Sequence, residues 1–115
     1  MFSKKNINTI TIEGTSHNHG SRRMLVGKDE TTSKYLEALT YGYLPAGVKW
    51  EMHLHENVIE ICIVTKGEGI IRDFEGNEEK FTEGDRFIFP SNTKHEIENN
   101  SDEDAEFYFF RFQDQ

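Results

Sequence analysis

His53 and His55 stand two residues apart in Met-His53-Leu-His55-Glu-Asn-Val-Ile-Glu60. Alternate side chains of a strand share a face, so the two imidazoles point the same way and can bind one ion together. Glu56 and Asn57 can turn the chain. The strand that follows returns Glu60 beside the imidazoles where the hairpin register permits. A second stretch runs Gly84-Asp-Arg-Phe-Ile-Phe-Pro90-Ser-Asn92-Thr-Lys-His95. Its turn, aromatic strand, proline turn and lone histidine suggest another hairpin that could deliver a fourth ligand, although the residues alone do not bring His95 to the first three. Imidazole and carboxylate together suit Mn, Fe, Co, Ni, Cu or Zn. His17 and His19 form a second His-x-His pair, in Gly14-Thr-Ser-His-Asn-His-Gly20, but no carboxylate or third histidine lies at a matching distance. They read as a polar loop, with closure over a pocket mouth as the alternative.

These two stretches resemble the cupin superfamily. Its first motif is Gly, five residues, His-x-His, three or four residues, Glu, six residues, Gly, and Gly47, His53, His55, Glu60 and Gly67 keep that spacing. Its second is Gly, five residues, Pro-x-Gly, two residues, His, three residues, Asn, and Gly84, Pro90, His95 and Asn99 match it. Asn92 stands where the family has Gly. Because Asn tolerates left-handed backbone better than most residues, the turn is expected to survive. The resemblance covers residues 47–99 and implies an all-β double-stranded β-helix, or jelly-roll barrel, which encloses a pocket. It also implies that His53, His55, Glu60 and His95 hold one divalent transition metal.

In an octahedral shell such a ligand set leaves two positions for water, substrate or dioxygen, and a Lewis acid there can polarise a carbonyl or lower the pKa of bound water. The expected function is therefore a metal-dependent enzyme. Its substrate would be a small carboxylate, sugar acid or keto compound, handled by dioxygenation or by isomerase or lyase chemistry. The alternative is a non-catalytic metal- or small-molecule-binding module, because fold does not choose among cupin activities. Glu51 shares the His53 face of a regular strand and is the candidate general base. Tyr41 and Tyr43, on one face of another strand, are candidate pocket residues, and Arg72 and Arg111 are candidate carboxylate anchors.

The elements that must carry these residues are short runs of alternating or β-branched residues between Gly, Pro and Asn. Strands are expected near 7–13, 22–26, 36–44, 49–55, 58–65, 68–74, 86–89, 94–98 and 106–112. Only residues 29–39 could carry a helical turn. The whole chain, 1–115, reads as one domain with an N-terminal arm over about the first 20 residues that is loose or swapped into a partner. One tension is visible. If the ligands face inward, Trp50, Met52, Leu54 and Ile59, Ile61, Ile63 face outward, so a second subunit or the arm must cover them and a homodimer is expected.

The formal charge of −8, from 21 acidic and 13 basic residues, argues against a phosphate-backbone partner. The sequence has no apolar run of membrane-spanning length and its N-terminus lacks a signal peptide's apolar stretch, so the cytoplasm is the expected compartment. The one cysteine, Cys62, cannot form an intrachain disulfide and reads as a small buried hydrophobe.

Overall fold

A computed structural model describes residues 2–15 and 19–115. Ten strands follow in order: β1 Ile12–Gly14, β2 Ser21–Gly27, β3 Leu36–Leu44, β4 Lys49–His53, β5 Val58–Lys66, β6 Gly69–Asp73, β7 Glu78–Phe81, β8 Arg86–Phe89, β9 His95–Glu98 and β10 Ala105–Gln113. They form a six-stranded sheet, β1-β2-β3-β10-β5-β8, and a four-stranded sheet, β4-β9-β6-β7. Every neighbouring pair is antiparallel. This is the expected jelly roll. No helix among the described residues is long and apolar enough to cross a membrane.

Alternation along the long strands decides which side chains enter. On β3, Ala38, Thr40, Gly42 and Leu44 are buried, on β5 Glu60, Cys62 and Val64, and on β10 Ala105, Phe107 and Phe109. The core between the sheets is aromatic: the Trp50 ring lies 5.6 Å from Phe107 and 5.5 Å from Phe109, and Phe81 lies 5.4 Å from Phe107. Each ring contributes roughly 1.5 to 3 kcal/mol by burial, which lets so small a barrel close. Gly42 is required here, because a Cβ would sit 2.9 Å from the Phe109 ring and 3.1 Å from Trp50. Asn92 takes φ +60°, the left-handed conformation that the motif's glycine would otherwise supply.

Three strand expectations change. Only residues 12 and 13 of the expected 7–13 strand lie in a strand, the start of β1; Ile7–Thr9 form a 3-10 turn whose Asn6 side chain accepts from the Asn8 N–H. The highly charged 78–81 segment is a strand, held by pairing with β6. The helical turn is confined to Lys28–Glu30. The arm is fastened by Arg23, whose guanidinium donates to the Ile7 and Ile10 carbonyls and to the Tyr43 hydroxyl.

β4 departs from regular alternation. Trp50 pairs with Ile97 and His53 with His95 on β9, so three steps on β4 match two on β9. A β-bulge at Glu51 and Met52 absorbs the extra residue. It turns Trp50 and His53 to the same inward face, which corrects the expectation that Trp50 lies outside with Met52: Trp50 is buried and Met52 exposed. Ile59, Ile61 and Ile63 do face away from the core, on the side opposite Glu60 and Cys62.

Candidate metal centre

Three strands and one turn bring the candidate ligands together. His53 ends β4, His55 follows in the turn to β5, Glu60 lies on the inner face of β5, and His95 opens β9 directly opposite His53. The ring centroids of His53 and His95 are 4.5 Å apart, those of His53 and His55 5.1 Å, and those of His55 and His95 6.3 Å. Glu60 Oε1 is 3.3 Å from His95 Nε2 and Oε2 is 3.6 Å from His55 Nε2. Two hairpins far apart in sequence thus meet at one carboxylate.

The surroundings set the imidazoles. His53 Nδ1 is 2.6 Å from the Glu51 carbonyl oxygen; a carbonyl only accepts, so Nδ1 carries the proton and Nε2 is the basic nitrogen. His95 stacks face to face on Phe89, with centroids 3.8 Å apart and planes 3° from parallel.

Glu60 is 2% exposed. Burial pushes its carboxyl up, but the His95 imidazole and the Arg111 guanidinium outweigh that and hold it down at about 2. Arg111 Nε donates to Glu60 Oε2 at 2.7 Å.

Among the described residues, no group of three or more His, Cys, Asp or Glu side chains already stands at the distances of a closed metal shell. The donor chemistry nonetheless fits a cation. His95 Nε2 is buried and, among the described residues, meets no hydrogen-bond partner of good geometry, its polar neighbour being Glu60 Oε1 at 3.3 Å; an unsatisfied buried polar atom is costly. A cation shared by that nitrogen and the adjacent Glu60 carboxylate would satisfy both.

A cavity of about 40 Å³ opens beside the cluster, bounded by Arg22, Trp50, His53, Glu60, Phe109 and Arg111, with Thr40 also at its wall. Of the other candidates, Arg111 reaches it. Glu51 does not: the bulge turns its exposed side chain away, which corrects its assignment as general base. Tyr41 and Tyr43 lie on the outer face of the six-stranded sheet, since Thr40 and Gly42 take the inner one. Tyr41 bonds Thr65 and Glu106 there, and Tyr43 accepts from Arg23. Arg72 is on the outer face of the four-stranded sheet, bound to Glu78, Glu96 and Glu98; it does not reach the cavity beside Glu60 but lines a different one, with His95 also at its wall. His17 lies outside the described residues; the His19 carbonyl accepts from the Trp50 indole N–H at 2.8 Å. Arg22, Thr40 and Trp50 were not expected at the pocket. Alternation within 22–26, with Arg22 and Met24 on one face and Arg23 on the other, carried a signal for the first.

The family model for the cupin domain matches residues 40–111, more than half of the chain, and the chain belongs to that family. Its fold is similar to a structure described as a predicted oxalate decarboxylase from Thermotoga maritima, with 27% identity, 94% of this chain and 96% of that one covered, and a TM-score of 0.84. A cupin-superfamily sugar phosphate isomerase from Silicibacter pomeroyi is similar at 23% identity, with coverage of 96% and 76% and a TM-score of 0.79. The polyketide cyclase RemF from Streptomyces resistomycificus is similar at 13% identity, with coverage of 100% and 81% and a TM-score of 0.81. These last two support the fold alone. No curated protein matches the chain by sequence.

Proposed function

We propose that this protein is a metal-dependent cupin enzyme that holds one divalent transition metal with His53, His55, Glu60 and His95 and acts on a small carboxylate or 2-oxo acid. The observation that carries the reading is the convergence of three imidazoles on a buried, ionised Glu60 at the wall of a small cavity. When bound, the metal would supply Lewis acidity toward a substrate carbonyl or carboxylate.

The chain's own residues suit that task. Arg111 fixes Glu60 through Nε, which aims the carboxylate at the imidazoles. Its terminal nitrogens and those of Arg22 make no hydrogen bond to a described residue and can hold an anionic group of the substrate. Trp50, Ile97 and Phe109 give the cavity apolar walls that limit water beside the reacting centre. A cavity of about 40 Å³ favours a compact substrate. Carbon–carbon lyase or isomerase chemistry is preferred over dioxygenation on the 27% likeness to a predicted oxalate decarboxylase.

The apolar outer face of the six-stranded sheet supports a homodimer. Leu39, Phe110, Ile61 and Ile88 form one row across β3, β10, β5 and β8, and Ile88 is 52% exposed.

The experiment is turnover of a panel of oxalate, 2-oxo acids and uronates by the metal-loaded protein, with and without air. Anaerobic turnover is expected. Turnover only in air would replace lyase chemistry with dioxygenation. Tight binding without turnover for every metal tried would make the protein a binding module instead.

A further inference from the structure

A second, wider cavity of about 380 Å³ adjoins the metal cluster and shares Arg22 and Arg111 with the small one. His55 and Lys28 stand at its wall, together with Glu37. In a chain of net charge −8, three cations around one opening run against the overall balance.

The partners of these cations matter more than their number. Arg22 uses Nε for Glu13 and Arg111 uses Nε for Glu60, so each guanidinium spends one edge on the protein and keeps its terminal nitrogens. Lys28 has no ion-pair partner among the described residues. It begins the 3-10 turn at Lys28–Glu30, which is pinned by the Glu30 carboxylate accepting from the Gly27 N–H at 2.7 Å, so its backbone is set at the rim. Glu37, the one acidic side chain added by the wider cavity, accepts from the Gln113 side-chain amide.

We infer that the substrate carries a second anionic group, a carboxylate or a phosphate, bound by Arg22, Lys28 and Arg111 while its other end occupies the metal cluster. This rests on the proposed carboxylate-acting centre and narrows it to dianions. Guanidinium groups recognise carboxylate and phosphate by paired N–H donors, and Lys28 adds a point charge. The small cavity takes the reacting head, and the wider one takes the tail.

The test is calorimetric titration of the metal-loaded protein with three compounds that share a 2-oxo acid head: pyruvate, 2-oxoglutarate and 3-phosphonopyruvate. At least one of the two longer compounds should bind about tenfold tighter than pyruvate, and which one does distinguishes carboxylate from phosphate as the tail. Lys28→Gln, at an exposed and unpaired site, should reduce that advantage about fivefold while leaving pyruvate affinity and metal content unchanged. Arg22→Gln, at a residue that lines both cavities, should weaken the longer compounds more than it weakens pyruvate. Equal affinity of all three compounds, or a Lys28→Gln effect as large for pyruvate as for the longer compounds, would overturn the dianion inference and leave the metal-centre reading standing. If none of the three binds the loaded protein, both readings fall.

Discussion

Trp50 and His53 point to the same side of β4 although three positions separate them, because the bulge at Glu51 and Met52 inserts one residue against β9. Without it, an inward Trp50 would force His53 outward, since a one-residue shift exchanges the faces of a strand. The same bulge brings the Glu51 carbonyl to His53 Nδ1. Glu51 therefore serves through its backbone.

Glu51→Gln should leave metal content and turnover within about twofold of the wild type, since its side chain lies outside the pocket. Deleting Met52 should abolish metal retention by reversing His53. Elemental analysis and a rate measurement check both. A large loss of rate in Glu51→Gln with full metal content would restore Glu51 as a base.

Arg111→Gln should destabilise the metal-free protein by about 2 kcal/mol, because it leaves Glu60 buried without its guanidinium. Bound metal should reduce that cost by supplying the missing positive charge. Urea unfolding of both forms decides this. An equal loss in the two would mean that the pair does not compensate Glu60.

Acid should act through the same carboxylate in the metal-free protein. The Glu60 carboxyl is lowered from 4.5 to about 2 in the fold, so its contribution to stability is complete above the ordinary value and is lost as pH falls through the folded one. The stability difference between wild type and Glu60→Gln should therefore change in disfavour of the wild type from about pH 4.5 towards 2. A difference that stays constant across that window would contradict the shift.

The proposed homodimer is open to a simple check. Phe110, 36% exposed in the middle of the outer apolar row, should tolerate Glu only as a monomer, so Phe110→Glu should halve the mass measured by light scattering. A wild-type monomer at high micromolar concentration would exclude the dimer.

The cluster of proposed ligands was legible in part from local spacing, whereas His95 came only from the family resemblance. His53, His55 and Glu60 lie within one hairpin, and the motif glycines and Pro90 mark the turns around them. Glu51, Tyr41, Tyr43 and Arg72 were misjudged for other reasons. A bulge leaves no mark in a short alternating run, so Glu51 looked cofacial with His53. The face of β3 that enters the barrel is decided by Gly42, whose missing side chain admits Trp50 and Phe109, and this sends the tyrosines outward. Arg72 is claimed by Glu96 and Glu98 on β9, a pairing between strands more than twenty residues apart. Arg22 and Lys28 reach the pocket only because β2 pairs with β3, and local patterning does not reveal which strands become neighbours.

The most direct test of the account is metal stoichiometry in the purified protein, measured by elemental analysis for wild type, His53→Ala, His95→Ala and Glu60→Gln. The account predicts close to one transition-metal ion per chain in the wild type, with most of it lost in both histidine variants and weakened retention in Glu60→Gln. Full retention in His53→Ala and His95→Ala, or a wild-type protein that takes up no transition metal when offered the full series, would contradict it.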